Sequence, residues 1–214
     1  MDINTSEALF DYIDTDLAWR KKELSSIRSS ITLASNSVKP LYIRIGILFL
    51  YAHWQGYIKN VGSWYINYLK HLKLNYCDLK VNLIALSLKS RIKECGQANK
   101  TEIHSEIVNI LINELSTTAV FPHKDGIDTT SNLNYEILSD ILFTLGLDDS
   151  HYKLKENLIN IKLLDSRNKI AHGERYELKE REFLELYSKV LEMLDLFKVQ
   201  IIDAVDNERY KKIT

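Results

Sequence analysis

Very little in this sequence can break a helix. Its 214 residues include two prolines and seven glycines, so long helices face few interruptions and an all-α fold is the first expectation. Cysteine is scarcer still. Cys77 and Cys95 have no metal-ligand spacing, which argues against a disulfide scaffold and predicts a reduced, cytoplasmic chain. A surplus of one charge is missing too. The net charge of −1 excludes a surface coated in lysine and arginine for duplex binding, yet a local basic groove is enough for RNA. The most apolar run, 41–54, is interrupted by Arg44 and His53 and is too short to cross a bilayer comfortably. The polar, acidic start Met1-Asp2-Ile3-Asn4-Thr5 does not suit a signal peptide. No strand alternation, internal repeat or convincing linker divides the chain. One domain over 1–214 is expected, with a loop-rich insertion at about 116–132.

What is present is helical periodicity. It predicts helices over 6–34 with Ser6 as N-cap, 41–72 with Pro40 in its first turn, 78–95 between Asp78 as cap and Gly96 as stop, 101–115, 134–145 and 179–205. Another is expected from 153 through Arg167 toward His172, with Leu154, Leu158, Ile161 and Leu164 or Asp165 on its apolar face. Together they make an antiparallel bundle of about six to seven helices without significant sheet. The helix over 41–72 is apolar nearly all round in its first half, so it belongs at the centre. Its Gly46, Gly56 and Gly62 suit close helix packing or a bend.

Several polar groups stand out against this scaffold. The run Trp19-Arg20-Lys21-Lys22-Glu23 reads either as a solvated face or as a phosphate-contacting ridge. Arg44, His53 and Gln55 interrupt the central helix, and a polar group in a core needs a partner. His53 is either a hydrogen-bonded core histidine or an accessory to a nearby site. Arg44 either holds a carboxylate in the core or reaches that site as a second cation. The loop residues His123, Lys124, Asp125 and Asp128 invite a metal reading, but their spacing matches no metal template and the loop needs none.

The densest chemistry lies in Asp165-Ser166-Arg167-Asn168-Lys169-Ile170-Ala171-His172-Gly173-Glu174. On a continuous helix Asn168 and His172 share a face, and Arg167 lies about 140° from His172 around the barrel. Arginine offers a fork of donors that matches a phosphate. Histidine titrates near neutrality and moves protons, and Asn168 can orient either. The trio suits cleavage of RNA, whose own 2′-OH is the nucleophile, leaving a 2′,3′-cyclic phosphate and a 5′-OH with no metal or cofactor required. The same spacing also arises from an arginine paired with Asp165 or Glu174 at a helix end.

Arg167-Asn168-Lys169-Ile170-Ala171-His172-Gly173 resembles the signature of the HEPN superfamily, Arg then four to six residues then His, with Asn directly after the Arg. Two further blocks resemble its MAE-type nucleases: 48–57, which reads Leu-Phe-Leu-Tyr-Ala-His-Trp-Gln-Gly-Tyr, and Ser131-Asn132-Leu133-Asn134 leading to Leu145-Gly146-Leu147. The resemblance implies a helical bundle that forms a homodimer with two motifs facing one cleft. It also implies metal-independent RNA cleavage, by a toxin restrained by a cognate antitoxin or by an antiviral effector. By position Arg167 would steady the phosphate, His172 would serve as acid or base, and Asn168 would position them, with His53, Gln55, Arg44 and Glu174 as accessories. Gln55 stands where relatives carry an acid. Glu174 stands where some toxins of the superfamily carry a tyrosine modified by a partner nucleotidyltransferase, and the nearest tyrosine is Tyr176, so that regulation is not expected. The alternative is a HEPN-fold module that binds RNA or a nucleotide, or scaffolds a dimer, without cleavage.

Overall fold

The structure, a computed structural model, describes residues 3–97, 99–122, 127–130 and 132–212. Three long helices carry the core: α1 (Ser6–Leu33), α2 (Lys39–His71) and α8 (Glu180–Asp206). All three pack on one another. They meet tightly at Gly46 of α2, where an added Cβ would lie 2.6 Å from the Phe183 ring of α8 and 2.9 Å from Ile31 of α1. The remaining helices are α3 (Val81–Gln97), α4 (Thr101–Asn113), α5 (Tyr135–Leu145), α6 (Ser150–Lys153) and α7 (Ser166–Ala171). Helix α2 is central, as its composition predicts: it contacts α1, α5, α7 and α8 and buries Trp54, Tyr57 and Tyr65 completely. Among the described residues there are isolated bridges, Asn75 with Thr118 and Leu79 with Lys211, but no strand. No helix among them is long and apolar enough to cross a membrane.

The boundaries move in physically instructive ways. Thr5, not Ser6, caps α1 by accepting the Ala8 N–H at 3.1 Å. Asp78 falls in a short 3-10 turn, Tyr76–Asp78, ahead of α3. Gly96 does not stop α3, which runs on to Gln97. A Cβ at Gly96 would meet nothing within 4 Å, and an exposed helical glycine costs only about 1 kcal/mol. Asn134 caps α5 by accepting the Ile137 N–H at 2.8 Å.

The largest departure lies just before the polar stretch. The helix expected from 153 breaks after α6, and Leu158–Asp165 winds as a π-helix that leads directly into α7. Because π turns close five residues apart, the buried face advances in steps of four and five. Ile159, Leu163 and Leu164 are buried. Leu154 and Ile161, expected inside, are 86% and 58% exposed. Asn160 anchors the stretch by accepting the Tyr135 N–H at the start of α5, at 2.7 Å.

The described part of the loop has no helix. Asp128 closes a turn there, its carboxylate accepting the Thr130 N–H at 2.8 Å. His123, Lys124 and Asp125 lie outside the described residues.

Candidate active site

Helix α7, six residues long, carries the half-buried Arg167 and Asn168. Its end is built by sequence. Gly173 takes φ 79°, a left-handed conformation that glycine tolerates best. That lets the Gly173 N–H bond the Ile170 carbonyl at 3.1 Å and the Glu174 N–H bond the Lys169 carbonyl at 2.9 Å, the paired closure of a helix C-terminus. His172 therefore sits on the last turn, its N–H on the Asn168 carbonyl at 2.9 Å, with its side chain exposed. Asn168 and His172 lie one turn apart, as the spacing predicts. Behind them the buried Ser166 hydroxyl lies 3.2 Å from the Ile161 carbonyl and 2.7 Å from the Tyr176 hydroxyl. Tyr176 thus ties the segment after the motif back onto the helix.

Arg167 is held from three directions. Its guanidinium carbon lies 4.4 Å above the centre of the Tyr51 ring. Its Nη1 donates to Asn168 Oδ1 at 2.6 Å and to Asn132 Oδ1 at 3.3 Å. Tyr51 is itself fixed, its hydroxyl accepting the Leu133 N–H at 2.7 Å. Burial raises the Tyr51 pKa above the ordinary phenol value, against the opposing effects of the Leu133 N–H and the Arg167 charge, so the ring is a neutral platform. Residues from three separated stretches of sequence, around 51, 132 and 167, converge here. Tyr51 and Asn132 each lie in one of the two further blocks that resemble the family, 48–57 and 131–134, but spacing alone assigns neither a role, because each meets Arg167 only through the fold.

Beside Arg167 a cleft of about 370 Å³ opens along α2, walled by Tyr51, Ala52, Gln55, Lys59 and Thr129. Gln55 therefore lines the same cleft as Arg167, its Nε2 donating to Thr129 Oγ1 at 2.9 Å. Arg44 is half-buried on α2, eleven residues or about three turns before Gln55 on the same stripe of the helix. Glu174 is exposed beyond the end of α7. Lys169 pairs with Asp165 at 2.8 Å, and that hydrogen bond, then the carboxylate charge, raises its pKa. Among the described residues no three His, Cys, Asp or Glu side chains group as a metal site would need.

His53 faces the other way. It is buried between α1 and α2 and does not line the cleft. Its Nε2 lies 2.8 Å from Glu23, although the geometry is that of an ionic approach rather than an aligned hydrogen bond. Its Nδ1 lies 3.4 Å from Arg20 Nη1. The charged run around Arg20 is a solvated face with one exception: Trp19, Lys22 and Glu23 are exposed and Lys21 is half-buried beside Asp195, whereas Arg20 turns inward. Arg20 is buried on Asp16, with Nε 2.6 Å from the carboxylate, because Gly56 of α2 leaves room for its guanidinium.

Burial lowers the His53 pKa from its ordinary 6.5, and the Arg20 charge adds to this, while Glu23 and Asp16 pull it back up. With the folded value depressed, the unfolded chain takes up the proton first as pH falls. His53 therefore costs no stability above about pH 6.5, and folding weakens below it. The melting temperature of the wild type should drop more steeply from pH 7.5 to 5.5 than that of His53→Gln. Parallel curves would rule this out.

No match to the chain is found among curated proteins or solved structures. A family model described as HEPN_MAE_28990-like HEPN does match, over residues 9–210, and covering nearly the whole chain it places this protein in that HEPN family.

Proposed function

We propose that this protein is a metal-independent endoribonuclease whose active site forms across a homodimer. The observation that carries the reading is the bracing of Arg167. A guanidinium held over the Tyr51 ring and bonded to Asn168 and Asn132 is pre-positioned beside an open cleft, as stabilisation of a developing phosphate charge requires. His172, exposed on the same short helix, takes the proton from the ribose 2′-OH or returns one to the departing 5′ oxygen. The 2′ oxygen bonds to phosphorus as the bond to the 5′ oxygen breaks, giving a 2′,3′-cyclic phosphate and a 5′-OH. A second copy related by a twofold axis brings its own Arg167 and His172 to the same phosphate. Asn168 positions Arg167. In the cell such an activity fits a toxin held in check by an antitoxin protein, or an antiviral effector in the cytoplasm.

The test uses purified chain with RNA and matched DNA, in chelator. RNA alone should be cut, and Arg167→Ala and His172→Ala should each lose about a hundredfold or more of the rate. Mixing the two impaired variants should raise the activity above that of either alone through mixed dimers. Cleavage abolished by chelator, or undiminished in both variants, would sink the mechanism. RNA bound tightly but left intact would instead make the chain a binding module.

A further inference from the structure

The chain carries 29 aspartates and glutamates, yet none falls within the 33 residues of α2. Two of the cations on that helix are accordingly left without a counter-charge. Lys39 is paired with Glu180 at 2.6 Å, but Arg44 and Lys59 meet no carboxylate among the described residues. Their positions relate them to Arg167. Residues 44, 48, 51, 55 and 59 recur at intervals of three and four, so they fall on one face of α2. Tyr51 of that face carries the Arg167 guanidinium carbon at 4.4 Å. At the helical rise, Arg44 lies about 10 Å before Tyr51 along the axis and Lys59 about 12 Å beyond it. The face is thus a row of three cations over about 22 Å, with Arg167 in the middle. The cleft beside Arg167 continues the row to Lys59 with no acidic residue among those that line it. What lies between the cations selects among polyanions. In the cleft wall Leu48 is half-buried and Ala52 is exposed. A duplex turns its bases inward and would leave these apolar side chains against phosphate and water. An unpaired strand offers phosphates to the cations and base faces to the apolar positions between them. At about 3.4 Å per stacked phosphate, roughly six nucleotides cover the row.

We infer that the face of α2 from Arg44 to Lys59 is the bed of a single-stranded substrate, with Arg44 and Lys59 each holding a backbone phosphate, one on either side of the phosphate at Arg167. Phosphate contacts carry no sequence information, so strandedness rather than base identity defines what this face accepts. This rests on the RNA-directed reading of Arg167 but is measured by binding alone. The probe is a 2′-O-methyl RNA dodecamer of mixed sequence, which lacks the attacking hydroxyl. It is titrated against the full chain by fluorescence anisotropy, at salt from about 50 to 200 mM.

Each phosphate held on a single strand adds about −0.7 to the slope of log K against log salt, so three cations should give the wild type a slope of about −2 or steeper. Lys59→Ala and Arg44→Gln should each make the slope shallower by at least about 0.7, and the double variant by about twice that. Arg44→Lys keeps the charge and should keep the slope, which separates lost charge from lost packing at this half-buried position. Lys22→Ala removes an exposed cation from α1 and should leave the slope unchanged. The same dodecamer annealed to its complement should bind more weakly than the single strand. A wild-type slope shallower than about −1, slopes unchanged in both Lys59→Ala and Arg44→Gln, an equal loss in Lys22→Ala, or a duplex bound as tightly as the single strand would each overturn the inference. Failure of the two readings is distinguishable. A salt slope that depends on Arg44 and Lys59 while unmodified RNA stays uncut removes the nuclease and keeps the strand bed. Cleavage with a slope that neither substitution changes does the reverse.

Discussion

Replacing Arg167 with alanine should lower the rate of RNA cleavage by about a hundredfold to a thousandfold, the usual loss when one fixed donor to a developing oxyanion is removed. The fold should survive. The residue is half-buried, and its stacking on Tyr51 at 4.4 Å is worth on the order of 1 kcal/mol, or a few degrees in melting temperature for a chain of this size. Arg167→Lys is the sharper comparison. Lysine keeps the charge but has no delocalised guanidinium to stand over the Tyr51 ring while a single nitrogen, Nη1 in arginine, donates to both Asn168 and Asn132. If bracing is what matters, lysine should recover less than a tenth of the lost activity, by the same arithmetic of one fixed donor. Wild-type rates in Arg167→Lys would mean that charge alone suffices and that the three-way bracing is incidental.

The sequence made the helices legible because their signals are local. Pro40 marks the first turn of α2 and apolar spacing marks faces, whereas the ends expected at Ser6, Asp78 and Gly96 shift by a residue or more. It also made the Arg167-to-His172 stretch legible, since a cation, an amide and a histidine crowd within one and a half turns. What it hid depends on contacts across the chain. In the charged run at Arg20 four of five residues are charged and most lie at the surface, but no local rule reveals Gly56, 36 positions away, as the gap that takes the Arg20 guanidinium. Tyr51 looked like core, yet its ring face carries Arg167 and its hydroxyl holds the Leu133 N–H. Leu154 is exposed because it sits at the break where α6 ends, and Ile161 because a π-helix changes the period on which face assignment rests. The same change of period precedes Arg167 directly, so the segment whose spacing is hardest to read is the one that sets the direction of the motif.

The largest effect on stability should come from the opposite face of α2, at Arg20. Its Nε and Nη2 hold the Asp16 carboxylate at 2.6 and 3.3 Å, and its Nη1 donates to the His53 carbonyl at 3.2 Å. Asp16 and Arg20 are 7% and 5% exposed, so water cannot replace either partner. Arg20→Met keeps much of the volume but leaves the carboxylate with only the Trp19 indole N–H, at 3.0 Å. Stranding a buried charge in this way costs about 3–5 kcal/mol, a fall in melting temperature on the order of 10 °C. The double variant Asp16→Leu with Arg20→Met should recover most of that loss, because removing both charges also removes the cost of burying them. Thermal unfolding of the three proteins checks this, and a double variant no more stable than Arg20→Met would contradict it. The consequence reaches the cleft as well. Arg20 packs against Gly56, directly beside Gln55 in α2, so the buried pair fixes the back of the helix whose front carries Tyr51 and Gln55. Arg20→Met, assayed where it remains folded, should therefore bind RNA more weakly even though Arg20 itself is buried away from the substrate.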